Sequence, residues 1–254
     1  MKVSVVIPIS SVEYITRLRA CVNSVVEQTY PREKIEILVT LLTQELKVNS
    51  INRIRMFCDE NGATLVHHVH GKKSWPPSLS RNVGYRQATG DILVSLDADG
   101  VLDKRTFAAA VARMKMKKCA VRVRTSLTPR APGMPIFFQL GTQRFRRTVE
   151  LGRKAPGPGC CILAPREAVW AIRGWDEEYV GYGPADWDFV ERLEKAGYPV
   201  VNLSETDDIW TLHQDHKRIL GTPLQHKNRS YHAKSKLRAD PRRNKRGWGC
   251  DGSS

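Results

Sequence analysis

The segment that most restricts the fold is Val3-Ser4-Val5-Val6-Ile7-Pro8, apolar at almost every position and stopped by a proline. A strand with one wet face alternates polar and apolar side chains. A run without alternation belongs to a strand covered on both faces, as in a parallel sheet flanked by helices. The same kind of segment recurs, separated by helical patterns. Residues 12–28 place Ile15, Leu18, Val22 and Val25 at helical spacing, with Pro31 just beyond. Residues 35–42 are strand-like, a helical stretch around 49–60 closes at Asn61-Gly62, and residues 63–69 form a third strand. Ser78 is placed to cap a helix through Val83 and Tyr85 to Gly90. Residues 92–96 are a fourth strand, and Asp103 is placed to cap a helix through Phe107, Val111 and Met114. This β-α alternation predicts an α/β fold, a single doubly wound and mostly parallel sheet.

The second half is less regular. Residues 120–125 read as a strand, whereas 126–159 are rich in Pro, Gly and Arg and hold no sustained period, which in a compact domain points to a functional or mobile segment. Residues 160–163 are strand-like, with Pro165 opening a short helix through Val169 and Ala171. A helix over 185–196 ends at Gly197, strands follow at 199–203 and 209–212, and beyond His213 the chain reads as a basic tail without an apolar face. The 254 residues suit one such domain. We divide it into residues 1–215, with a half before about 103 and another from 104, and a basic extension over 216–254. No apolar run approaches the roughly 20 residues of a membrane helix. Met1-Lys2 leads directly into the first strand, so a cytosolic location is expected. The six cysteines form no C-x-x-C pair and read as reduced, mostly buried thiols.

Three constellations could carry chemistry. Asp97-Ala98-Asp99 directly follows the strand at 92–96, and in open α/β sheets ligands bind outside the carboxyl ends of the strands. Two carboxylates there can hold a divalent cation and through it a diphosphate, or can be a solvated turn. In Gly181-Tyr-Gly-Pro-Ala-Asp186-Trp-Asp188 the glycines permit a tight backbone, and Asp186 falls in the first turn of the next helix. Either aspartate can simply cap that helix, which is the preferred reading of Asp188. His213-Gln-Asp-His216 follows the strand at 209–212; either histidine can be a metal ligand or an ordinary hydrogen-bonding group. His67, His68 and His70 receive no role.

Taken in order, Val3-Ser-Val-Val-Ile-Pro8, Ser80-Arg-Asn-Val-Gly84, Ala88-Thr-Gly-Asp-Ile92 and Leu96-Asp-Ala-Asp99 resemble the family 2 glycosyltransferases with the GT-A fold. Gly174-Trp-Asp-Glu-Glu-Tyr-Val-Gly-Tyr-Gly183, Asp186 and Leu212-His213-Gln214 resemble the C-terminal module of galactosyl- and N-acetylgalactosaminyltransferases and chondroitin-polymerising enzymes. The resemblance spans about residues 2–215. It implies a nucleotide-diphospho-sugar transferase with the donor in the first half and the acceptor in the second. Asp99 and His213 would ligate Mn²⁺ or Mg²⁺, and Asp97 would contact the metal shell or the donor ribose. Pro8, Ser10 and Glu13 would cradle the nucleotide, and Arg81 would lie on the donor side. Asp186 would be the general base, giving inversion at the anomeric carbon. Two positions depart from the pattern. Thr40-Leu41-Leu42-Thr43 stands where the family carries an acidic cluster that helps read uracil, which puts a UDP donor in doubt. Ala185-Asp186 replaces a Glu-Asp pair, which suggests an acceptor other than the usual hexosamine.

The charge distribution bears on that acceptor. The net charge is +15, and residues 104–154 hold 14 Lys and Arg against one acidic residue, while 213–254 hold 11 against three. Residues 1–103 are near neutral. Single-sign blocks in the acceptor half imply a polyanionic partner. Two acceptors follow: DNA carrying hydroxymethylated bases, as in phage-type DNA modification, or a lipid-linked or anionic glycan at a membrane surface. DNA is favoured because no amphipathic membrane helix is evident. Lys234, Lys236, Arg238, Arg242, Arg243, Lys245 and Arg246 resemble a phosphate-binding arm, and Phe137, Phe138 and Phe145 could stack on bases. A non-catalytic nucleic-acid-binding protein and a nucleotidyltransferase are the rival classes. The joint presence of Asp97, Asp99, Asp186 and His213 argues against the first, and Asp186 on its Gly-rich turn against the second. No protein partner is inferred.

Overall fold

A computed structural model describes residues 1–45, 48–127, 149–150, 152–155, 157, 160–214, 221–245 and 247–250. His216, Arg246, Phe137, Phe138 and Phe145 lie outside the described residues, as does most of 126–159. The main sheet contains β1 (Val3–Ile9), β2 (Ile35–Thr43), β3 (Thr64–Val69), β4 (Ile92–Leu96), β6 (Ala120–Val123), β9 (Cys161–Pro165) and β10 (Val200–Asn202). Their order is β10-β6-β9-β4-β1-β2-β3. Pairing is parallel except that β9 runs antiparallel to both its neighbours, β4 and β6. Beside this sheet stands a second, four-stranded one that periodicity alone did not suggest. It orders β5 (Gly100–Leu102), β11 (Thr211–His213), β7 (Thr125–Leu127) and β8 (Arg153–Lys154) as β5-β11-β7-β8.

The unbroken apolar character of β1 has the expected cause. Val3, Val5, Ile7 and Ile9 face one core with α1 (Ile15–Val26), α2 (Val48–Glu60) and α4 (Thr106–Met116). Val6 faces the opposite core with Tyr85 of α3 (Pro77–Gln87), Ala168 and Val169 of α5 (Arg166–Ala171), and Phe189 and Leu193 of α6 (Ala185–Lys195). The sheet is covered on both sides, so neither set of side chains meets water.

Two helix starts differ from expectation. Pro77 occupies the first turn of α3 with Pro76 as the N-cap, and Ser78 is buried inside the helix. Proline tolerates that position because its missing N–H has no helical partner to lose. Asp103 is not the N-cap of α4, a place taken by Arg105. Its carboxylate accepts the Arg105 backbone N–H at 2.9 Å and its carbonyl the Thr106 N–H at 3.0 Å, so it builds the turn before the helix.

The C-terminal part also differs from a bare tail. A short helix α7 (Leu203–Thr206) precedes β11, and α8 (Pro223–Ser235) packs along α6. His232 Nε2 lies 3.2 Å from Glu191 Oε2, and the Ser235 hydroxyl donates to Asp188 at 3.3 Å. Trp248 is 4 % exposed and belongs to the core around α5 and α6. Trp248, Tyr231 with its ring edge-on to Tyr179, and a set of polar contacts carry this docking, which a search for helical apolar spacing does not detect. Among the described residues the cysteines are free, and all but Cys250 are buried. No helix of the described residues is long and apolar enough to cross a membrane.

Gly84 sets how closely α3 approaches the sheet. A Cβ there would stand 2.4 Å from Val6 Cγ1 and 2.8 Å from Thr40 Cγ2, side chains held in the core. Gly84→Ala is therefore expected to destabilise the chain by about 1–3 kcal/mol through overpacking, partly offset by alanine's helix propensity. The shift of α3 would also move Arg81, one turn earlier. A urea or thermal melt checks this, and a midpoint at or above wild type would show that the sheet yields.

Candidate active site

The site grows from the carboxyl end of β4. That strand is fully buried, and the chain turns sharply on leaving it, with Gly100 N donating to Asp97 O at 2.8 Å. The turn carries Asp97 and Asp99 and passes straight into β5. Antiparallel pairing sets Gly100 opposite His213 of β11, and Gln214 N donates to Asp99 O at 2.9 Å. A backbone ladder thus delivers His213 to Asp99, with Nε2 and Oδ2 3.3 Å apart. Both side chains retain 12 % exposure.

Asp97 has a different partner. Arg81, from the middle of α3, places Nη2 2.6 Å from Asp97 Oδ1. Its Nε donates to Ser95 Oγ at 2.8 Å, and its guanidinium lies 4.5 Å from the centre of the Trp175 ring. Arg81 is buried, so its charge is fixed in place by these three contacts. Asp186, half-buried in the first turn of α6, acts on the same group electrostatically: Arg81 feels both Asp97 and Asp186.

The protonation behaviour follows from crowding. Burial lifts Asp97 to about 7; Arg81 pulls it down, while the Asp186 and Asp99 carboxylates push it further up. Burial likewise raises Asp186 above the ordinary carboxylate range, with Arg81 opposing. Burial by itself would weaken Arg81's hold on its proton, but the two carboxylates outweigh that and raise it. Asp97 and Asp186 both act on the Arg81 guanidinium, and Asp99 adds negative charge beside Asp97, so negative charge outweighs positive among these four residues.

That imbalance bears on a cation. Asp99 and His213 offer a hard oxygen and an imidazole nitrogen, a donor set that suits Mn²⁺ or Mg²⁺. Among the described residues no three His, Cys, Asp or Glu side chains are gathered for a metal ion. Mg²⁺-like cations take one or two protein ligands and complete their shell with substrate phosphates and water. The residues present fit a site of that type.

Pro8, Ser10 and Glu13 lie one strand over, at the same edge. Pro8 is the penultimate residue of β1, paired with Thr40 of β2, and Glu13 is exposed in a single 3-10 turn. Thr40, Leu41 and Leu42 are buried, and Thr43 Oγ1 lies 2.9 Å from His67 Nε2, so hydroxyl and imidazole meet at the Thr40–Thr43 segment that departs from the resembled pattern. Asp188 does not cap the helix as expected, since Pro184 is the N-cap without a side-chain bond; it is buried inside the first turn and pairs with Arg192 Nε at 2.6 Å. Sequence reasoning missed Ser95 and Trp175. Trp175 sits inside a quoted motif, but nothing in its spacing shows that its ring meets Arg81.

The sequence matches the family model described as glycosyl transferase family 2 over residues 4–173. A second model, described as the N-terminal domain of galactosyltransferase, matches residues 148–217. No curated protein matches the chain. Among solved structures, the mannosyltransferase PcManGT from Pyrobaculum calidifontis, in complex with GDP-Man and Mn²⁺, superposes with a TM-score of 0.59 at 19 % identity, over 85 % of this chain and 58 % of that one. S. aureus TarS 1-349 in complex with UDP-GlcNAc gives 0.60 at 17 % identity, over 88 % of this chain and 60 % of that one. These likenesses establish the GT-A fold. The chain spans 60 % or less of the length of either structure.

Proposed function

The chain belongs to glycosyl transferase family 2, and on that premise we propose that it is an inverting, metal-dependent transferase moving a sugar from a nucleotide-sugar donor to a hydroxyl on a polyanionic acceptor. The observation that carries this reading is the convergence of Asp97, Asp99, His213, Arg81 and Asp186 at one end of the sheet. Asp99 and His213 would hold the divalent cation. When bound, that ion supplies positive charge against the leaving diphosphate. Pro8, Ser10 and Glu13 bound the nucleotide side. Arg81 keeps Asp97 oriented and favours its ionised form although the carboxylate is half-buried. Asp186 accepts the proton of the attacking hydroxyl; in-line attack from its side leaves the anomeric centre inverted, and no covalent nucleophile is required. His67 and Thr43 in place of carboxylates leave the donor base open to nucleotides other than uridine.

The acceptor side supports a polyanion. Asn228 of α8 donates to the carbonyls of Val180 and Tyr182, tying that helix to the loop that leads into Asp186. The face of α8 turned away from the body carries exposed Lys227, Arg229 and Lys234, followed by exposed Lys236 and Arg238, with no acidic residue over 221–238. Tyr182 and Trp187, both exposed, flank Asp186 and offer planar surfaces for stacking. Two residues of the anticipated arm are engaged locally: Arg242 Nε pairs with Asp240 at 2.9 Å, and Arg243 donates to the Ser235 carbonyl at 2.7 Å. The basic surface is therefore centred on α8. Hydroxymethylated DNA is the favoured acceptor, since phosphates can follow such a face while a base stacks.

A mass-spectrometric transfer assay tests this, with Mn²⁺, a panel of sugar nucleotides, and duplex DNA with or without 5-hydroxymethylpyrimidines. A hexose-sized gain on the modified duplex alone supports the whole reading. Donor turnover without change in the DNA removes DNA as acceptor and favours an anionic glycan. Pyrophosphate as product would mean nucleotidyl transfer instead. Asp99→Ala and His213→Ala are each expected to weaken Mn²⁺-dependent binding of UDP or GDP by about tenfold or more, read by calorimetry. Unchanged affinity in both variants would remove the metal assignment.

A further inference from the structure

We propose that Asn244, Trp248 and Gly249 form a clasp that positions Trp175 beside the active site, so that these C-terminal residues are part of the site's scaffold. The inference rests on the transferase reading for its functional consequence and on geometry for the clasp itself. The side chain of Asn244 makes three hydrogen bonds to one loop. Its Nδ2 donates to the carbonyls of Arg173 at 2.6 Å and Trp175 at 2.5 Å, and its Oδ1 accepts the Glu177 backbone N–H at 3.1 Å. Arg173 returns a bond from Nη1 to the Asn244 carbonyl at 3.1 Å. Further along, Gly249 N donates to Glu177 Oε1 at 2.7 Å, and the same oxygen accepts from Asn82 Nδ2 at 2.7 Å. Asn82 belongs to α3 and lies next to Arg81; its Oδ1 accepts the Trp175 backbone N–H and its Nδ2 donates to the Trp175 carbonyl, each at 2.8 Å.

Gly174 shows how tightly these parts meet. Its φ is +69°, and a Cβ there would stand 2.4 Å from Asn82 Oδ1 and 2.7 Å from the Trp248 ring. Only glycine allows α3, the loop and the C-terminal segment to close on one another at this point. What they hold is the Trp175 side chain, 1 % exposed. One contact of its ring is the Arg81 guanidinium at 4.5 Å, and another is Phe189 of α6, stacked at 4.1 Å with 3° between the planes. Trp175 therefore stands between the arginine that holds Asp97 and the helix that carries Asp186. Displacing Trp175 would change the spacing of the two carboxylates without touching either. Asn244, Glu177 and Asn82 are positioning residues in this sense.

The test compares Asn244→Ala, Glu177→Ala and Glu177→Gln in the full chain by hydrogen exchange, Mn²⁺-dependent UDP and GDP binding, and turnover. Glutamine keeps the Oε1 acceptor that Asn82 and Gly249 use. Both alanine variants are expected to speed exchange about tenfold or more over residues 173–183, with β1 and β4 as protected as in wild type. Nucleotide affinity should stay within about twofold while kcat falls about tenfold or more, and Glu177→Gln should restore most of both losses. A general loss of folding would instead raise exchange in β1 and β4 as well. Unchanged exchange over 173–183 overturns the clasp, and faster exchange with wild-type kcat overturns its positioning role. A wild-type chain that turned over no donor would defeat the transferase reading, and exchange would then decide the clasp on its own.

Discussion

Asp186→Asn is expected to lower turnover by about 10²- to 10⁴-fold while leaving Mn²⁺-dependent nucleotide binding within about twofold of wild type. The amide is nearly isosteric, so the first turn of α6 and its packing should survive, but it cannot take a proton from the acceptor hydroxyl. Single-turnover kinetics beside calorimetry separate the two effects. The pH dependence supplies a second check. Burial raises Asp186 above the ordinary carboxylate range, and a base must be deprotonated to act. The rate should therefore fall on the acid side at a higher pH than an ordinary aspartate would give. Near-wild-type turnover in Asp186→Asn would show that another group is the base.

Arg81→Met is expected to have the largest combined effect on stability and rate. The guanidinium is buried and holds down the proton affinity of both Asp97 and Asp186. Removing one partner of a buried pair costs about 3–5 kcal/mol, and the lower end applies because Asp97 keeps part of its side chain in water. The sign of the pH effect follows from Arg81's present action. It lowers both Asp97 and Asp186, so its loss should let burial raise them further. A larger share of Asp186 would be protonated near neutrality, and the acid limb of the rate profile should move to higher pH. Folded Asp97, at about 7, binds its proton more tightly than an unfolded aspartate, so it favours the folded state most fully at low pH and loses that contribution as pH rises towards 7. Arg81→Met should carry that loss to higher pH. Chemical denaturation at pH 5 and pH 7.5, with rate profiles of both proteins, tests this, and an acid limb that stays in place would mean that Arg81 does not govern Asp186.

The glycine contacts connect stability to the site as well. Gly84 lets α3 lie against Val6 and Thr40, and that depth is what brings Arg81 to Ser95 and Asp97. In the same helix, Asn82 reaches the Trp175 loop. One short helix therefore connects the Asp97 end of the sheet to the Trp175 loop, and the spacing of its contacts follows from an absent side chain.

Much of the N-terminal half was legible in the sequence because its signals are local. Val3–Ile9, Ile92–Leu96 and the helices between them follow from hydrophobic period, and the strand end at Asp97 follows from where that period stops. Asp97, Asp99, Asp186 and His213 could be nominated because carboxylates and imidazoles after buried strands or at helix starts are few. Contacts between distant segments left no periodic trace. The meeting of His213 with Asp99 depends on the β5–β11 ladder, and the second sheet it belongs to is made of strands of two or three residues, too short to show a period. The folding back of residues 223–245 and 247–250 depends on Trp248, Tyr231, Asn244 and a few polar contacts, which in sequence look like a solvated basic tail. Local composition thus determined the sheet, its layers and the identity of the polar groups at its edge. Tertiary structure alone decided which of those groups share a charge, because burial and proximity set their protonation and neither is a property of a residue by itself.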